Sequence, residues 1–210
     1  MAVMTTAQHL INTIIEEKMS KISEVLLGSV TPFQLMAGKL LGIVTVSFVL
    51  SFVYLGGGVY ALLQMGRPDL IDPVLVGWFL LFLVCAALMF GSVFQALSSA
   101  CSDLKDAQSM LQPAMMILIS SYVVSVLVIR APDSTLASVL SMIPMVAPFA
   151  MMIRLTMPPG PPMWEVLLGL AILAASTMLV LWAAGRIFRV GLLMQGKPPN
   201  LPELLRWVRR

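Results

Sequence analysis

Four stretches of this chain, residues 40–63, 74–97, 111–129 and 163–185, are apolar and hold no charge away from their ends. A run of about 20 such residues is what a helix needs to cross the hydrocarbon core of a bilayer. Inside lipid every backbone N–H and C=O must be satisfied within the chain, which restricts spanning segments to helices or closed barrels. Runs of this length without polar alternation predict helices. The chain has 59% hydrophobic and 11% charged residues, whereas a soluble domain carries about 25% charged residues. Lipid is therefore the solvent for much of this surface. The expected fold is all-α, a polytopic membrane helix bundle.

The segments between the spans carry the punctuation. Residues 16–39 alternate Glu16, Glu17, Lys18, Lys21 and Glu24 with Ile15, Ile22, Val25 and Leu26. Ile15, Ile22 and Leu26 fall at helical spacing, which predicts an amphipathic helix at the interface. Thr31-Pro32 breaks that pattern and starts a new helix. Gly38 and Gly42 form a small-xxx-small pair at the start of the first span, suited to close helix packing. Residues 136–157 are apolar but contain Pro144, Pro148 and Arg154. A straight span does not carry two prolines and a late arginine without special support. Residues 158–162, Pro-Pro-Gly-Pro-Pro, form a stiff linker before the last span.

Charge orients the chain. If 136–157 crossed the membrane fully, the basic tail (Arg186, Arg189, Lys197, Arg206, Arg209, Arg210) would lie opposite Lys18, Lys21 and Lys39. If it dips in and returns on the outer side, ten basic residues are cytoplasmic and only Arg67, Arg130 and Arg154 are outside. The positive-inside rule selects the second arrangement. The expected organisation is residues 1–39 as the end of a preceding span plus a cytoplasmic helix, 40–190 as the transmembrane domain with a re-entrant hairpin at 136–157, and 191–210 as a basic cytoplasmic tail.

Several chemistries are excluded. Gly38-Lys39 lacks the other P-loop residues, because Phe33 and Leu40 stand where a Gly and a Ser or Thr are required. Glu16-Glu17 has no histidine partner in the spans, and His9 is the chain's single histidine. Cys85 and Cys101 make no C-x-x-C pair. No catalytic, cofactor-binding or metal site is expected. No basic stripe interleaved with aromatics indicates nucleic acid. Among the polar groups within the spans, Gln95, Tyr54, Tyr60, Ser47, Ser51 and Thr45 are read first as helix-to-helix hydrogen-bonding groups. Residues 16–39 fit an interfacial anchor and a docking helix for a soluble partner equally well.

At that segment the chain resembles a known family. Glu16-Glu17-Lys18, residues 23–36 (Ser-Glu-Val-Leu-Leu-Gly-Ser-Val-Thr-Pro-Phe-Gln-Leu-Met) and residues 38–42 (Gly-Lys-Leu-Leu-Gly) look like the membrane subunit of type-2 ABC exporters. The sodium-efflux-type permeases of bacteria are the nearest likeness. Asp106-Ala107-Gln108, Ile143-Pro144, Ala147-Pro148-Phe149 and residues 185–193 extend it. The resemblance implies that residues 16–30 are a coupling helix for a separate ABC ATPase subunit, with Glu16, Glu17, Lys18, Lys21 and Glu24 as coupling residues. It implies that 136–157 is a re-entrant pair, that a second permease chain completes the path as a homo- or heterodimer, and that the protein lies in the bacterial inner membrane. Family members carry a span, an extracytoplasmic domain and a further span before the coupling helix. The chain thus looks like the C-terminal half of a permease, with another chain to supply the rest. A non-transporting membrane scaffold or assembly protein derived from such a permease is the alternative.

Overall fold

A computed structural model describes residues 12–20, 28–67, 72–101, 103–193 and 207. Seven helices occur among them and no strand. They are α1 (12–19), α2 (Pro32–Gln64), α3 (Pro73–Ala100), α4 (Leu104–Val128), α5 (Thr135–Met142), α6 (Ala147–Thr156) and α7 (Met163–Leu193). Four of them, α2, α3, α4 and α7, are long and apolar enough to cross a membrane.

Local chemistry fixes where these helices start. Thr31 and Gln34 form a reciprocal capping box at α2, with Pro32 in the first turn where a missing N–H costs nothing. Asp72 and Asp103 cap α3 and α4 by accepting from the backbone N–H of Val74 and Asp106. The helices therefore run beyond the apolar stretches. α2 begins at Pro32 and α4 at Leu104, while α7 continues to Leu193. The amphipathic pattern at 16–39 resolves into α1, a turn at 28–30 and the start of α2. Lys21 and Glu24 lie outside the described residues, as do Lys197, Arg206, Arg209 and Arg210.

α3 is the hub. It runs parallel to α7, with Cys85 beside Thr177 and Ser99 beside Gly191 at the same 92-residue offset. α2 runs antiparallel to α3, since Gln95 Nε2 donates to the Met36 carbonyl while Gly91 meets Leu40 and Ile43. The short connection at 101–103 returns the chain along α4. The core divides into clusters. One joins Phe82, Phe90 and Phe94 of α3 to Leu111 and Leu118 of α4, Met151 of α6 and Leu173 of α7. A second joins Met36, Leu40 and Ile43 of α2 to Ala184 and Phe188 of α7.

α5 and α6 have 8 and 10 residues. At 1.5 Å per residue they are about 12 and 15 Å long, short of the roughly 30 Å needed to span. Pro144 occupies the turn between them, and Pro148 sits in the first turn of α6, where proline is tolerated. The pair folds back on itself: Arg154, near the end of α6, donates to the Pro132 carbonyl that precedes α5. Gly160, at φ 79°, turns the linker into α7.

Candidate functional site

Both ends of the bundle carry organised charge. At the first end, α1 is wedged among the tips of the four long helices. Ile14 and Ile15 are fully buried. Ile14 packs with Met36, Leu40, Phe188 and Leu192, and Ile15 joins the cluster holding Phe94, Ala107 and Leu111. Asn12, Glu16, Met19 and Ser20 fall on the opposite, exposed side of the helix.

The adjacent charges divide their work. Glu17 pairs with Lys39 of α2, Oε2 to Nζ at 2.7 Å, with both side chains mostly covered. Lys18 turns inward and donates to the carbonyls of Ser99 at 2.8 Å, Cys101 at 2.9 Å and Gly191 at 2.8 Å. Carbonyls at helix C-termini have no donor within their own helix, and the helix dipole makes those ends negative. Burial lowers the Lys18 pKa, and the neighbouring Cys101 opposes that shift. Burial pushes the Cys101 thiol up to about 11, against the pull of Lys18 and with the help of Asp106 and Asp103. Beside this junction lies an open cleft of about 440 Å³, lined by Asn12 of α1 and by Lys105, Gln108, Ser109 and Gln112 of α4.

At the other end Arg154 is 3% exposed and Glu165 of α7 13% exposed, with Nη1 to Oε2 at 2.7 Å. Nη1 also donates to Ser141 Oγ at 2.8 Å, Nη2 to Ser138 Oγ at 3.2 Å and Nε to the Pro132 carbonyl at 3.0 Å. This clasp holds both helices of the hairpin to the first turn of α7. Gly169 lets α7 pass close beside it, for a Cβ there would meet Met151 Cε at 2.7 Å.

Several positions differ from their simplest sequence readings. At Gly38 and Gly42 an added Cβ would meet nothing within 4 Å among the described residues, and both glycines are exposed there. The face that α2 turns inward is Met36, Leu40, Ile43, Ser47 and Ser51. Among the described residues, close helix approaches occur at Gly91, Gly169 and Gly191. Of the polar span residues, Gln95 bridges to α2, Thr45 bonds its own helix at Leu41, and Tyr54 and Tyr60 are exposed. Ser47 Oγ and Gln95 Oε1 are buried without a hydrogen-bond partner among the described residues. Glu165 was not singled out by its sequence. The signal was available, since an arginine in an apolar segment needs a carboxylate, and Glu165 follows Arg154 across the linker. Nothing in the sequence marks the carbonyls of Ser99, Cys101 and Gly191 as the partners of Lys18. Among the described residues no three His, Cys, Asp or Glu side chains gather into a metal site.

An all-helical bundle with four membrane-length helices, a short helical hairpin and a charged wedge at one end is a multi-pass membrane protein. The chain belongs to the ABC-2 family transporter proteins, whose family profile matches residues 1–186. It is 25% identical over 194 residues to the uncharacterized protein YhaP of Bacillus subtilis, covering 86% of this chain and 46% of that protein. It is 27% identical over 207 residues to the uncharacterized protein MJ1024 of Methanocaldococcus jannaschii, covering 98% of this chain and 50% of that one. The chain thus spans about half the length of the curated relatives it matches. No solved structure matches it. The family is one of permease-type membrane proteins of ABC transporters.

Proposed function

We propose that this chain is the membrane-spanning permease part of an ATP-driven ABC exporter of the sodium-efflux type, corresponding to the C-terminal half of a longer permease. In this reading α1 and the residues after it are the coupling segment, with Glu16, Glu17, Lys18, Lys21 and Glu24 as its charged residues. A separate ABC ATPase docks there, and a second permease chain completes the path. The tail lies in the cytoplasm and the hairpin of α5 and α6 on the outer side of the cell membrane.

The observation that carries the reading is the seating of α1. A helix that touches the ends of all four long helices can pass a displacement to each of them. It sits at the end that also carries Lys39, Lys105, Arg186 and Arg189, whereas Arg67, Arg130 and Arg154 belong to the opposite end. That distribution favours α1 on the cytoplasmic side.

The test is purification of the chain from native membranes in mild detergent, with mass spectrometry of the proteins that accompany it. A P-loop ATPase that accompanies the chain and is released by Glu24→Lys is the expected result. Retention of transport-linked ATPase activity in Glu24→Lys would remove Glu24 from the coupling surface. Recovery without any ATPase would favour the scaffold reading.

A further inference from the structure

The seat of Lys18 is built, not incidental. α3 and α7 are parallel, so their C-terminal ends come together and bring like ends of two helix dipoles side by side. They close tightly because Gly191 has no side chain. A Cβ at Gly191 would stand 2.7 Å from Ser99 Oγ and 2.9 Å from the Ser99 carbonyl carbon and oxygen. That crossing brings the Ser99, Cys101 and Gly191 oxygens within reach of one ammonium group. A lysine ammonium has three N–H donors. All three of Lys18 are used inside this chain, which leaves none for a soluble partner.

The neighbouring link is of another kind. Glu17 and Lys39 form an ion pair, 24% and 14% exposed, in which both Glu17 oxygens lie 2.7 Å from the Lys39 ammonium. The ammonium of Lys18 instead bridges the backbones of two helices at once. α1 is therefore tied to α2 through side chains and to α3 and α7 through their backbone carbonyls.

We propose that Lys18 is a positioning residue that locks α1 to the paired ends of α3 and α7, so that a displacement of α1 reaches those two helices as one body. This deepens the permease reading and rests on it.

Cys101 supplies the reporter, since it is fully buried beneath Lys18 and, once Cys85 is replaced by Ala, is the only thiol of the chain. In the purified chain, Lys18→Met is expected to raise maleimide labelling of Cys101 severalfold, because opening the seat exposes the buried thiol by more than the loss of the Lys18 charge disfavours its thiolate. Lys18→Arg is expected to raise it less, since a guanidinium still donates to these carbonyls. Lys18→Gln, which keeps an amide donor, serves where Lys18→Met is not recovered from membranes, with a smaller rise expected. Unchanged labelling in these variants overturns the lock.

A second arm uses the complex with the ATPase. Met19→Cys, in a chain with both native cysteines replaced by Ala, reports docking on the exposed side of α1. The ATPase is expected to shield that thiol with Lys18 or Met at position 18. Trapping with ATP and vanadate is expected to change Cys101 labelling severalfold with Lys18 present and not in Lys18→Met. A nucleotide response that survives Lys18→Met overturns the delivery of motion through Lys18. Absence of shielding with Lys18 intact overturns the permease reading instead, while the labelling of the chain alone still decides the lock.

Discussion

The Arg154–Glu165 clasp makes the most quantitative prediction. Both side chains are largely withdrawn from water, and Arg154 has four hydrogen-bonding contacts around it. Breaking a buried pair by removing one partner costs about 3–5 kcal/mol, mostly from the charge left behind. Glu165→Gln leaves the guanidinium buried, but Ser138, Ser141 and the Pro132 carbonyl still accept from it, so a cost of about 3 kcal/mol is expected. Arg154→Met leaves a carboxylate that keeps some exposure and the nearby Ser138 hydroxyl, at about 2 kcal/mol. The double variant leaves no stranded charge. It is expected to cost about 2 kcal/mol rather than the 5 or so of the additive case, a coupling of about 3 kcal/mol. Reversible unfolding of the full chain in mixed micelles, followed by titration with a denaturing detergent, measures all three variants. Additivity within about 0.5 kcal/mol would refute the assignment of the clasp as one cooperative network.

Gly191→Ala forces a Cβ against the Ser99 backbone and is expected to destabilise by about 1–3 kcal/mol, while Gly42→Ala, which meets nothing within 4 Å, should be neutral or slightly stabilising in the same unfolding measurement. Equal effects at the two glycines would contradict the α3–α7 crossing. With its pKa raised from 9.0 to about 11, Cys101 holds about a hundredfold less thiolate than an ordinary thiol near pH 8, so alkylation of the native chain should spare it. The sign for stability follows from the same shift: a raised folded-state pKa stabilises below 9.0, and that contribution is lost as pH rises toward about 11, which a pH series of unfolding midpoints would record. Thr31→Ala removes the capping box of α2 and should cost about 1 kcal/mol, with faster amide exchange confined to the first turn as its signature.

The seating of α1 and the clasp together suggest how the two ends of one bundle are managed. Each end joins a short element to α7, the helix common to both. At one end the joint is Lys18 at Gly191, and at the other it is Arg154 at Glu165. α7 is thus held by a cation at each of its termini, and it packs along α3 between them. In the proposed exporter this makes α3 and α7 the rigid pair of the bundle.

The sequence by itself determined the four membrane-length helices, because lipid demands long apolar runs and those runs are visible residue by residue. It also determined the break at Pro144 and Pro148, since proline acts on its own turn of backbone whatever surrounds it. The capping residues Thr31, Asp72 and Asp103 were equally local. What only the tertiary structure decided was which side of each helix turns inward. α2 is apolar nearly all round, so no helical period separates Met36, Leu40 and Ile43 from Gly38 and Gly42. In a membrane the outside is as apolar as the inside, and small residues serve either face. For the same reason the partners of Lys18 could not be read in advance. They are backbone carbonyls, which every residue possesses, brought to one point by the packing of two helices distant in sequence.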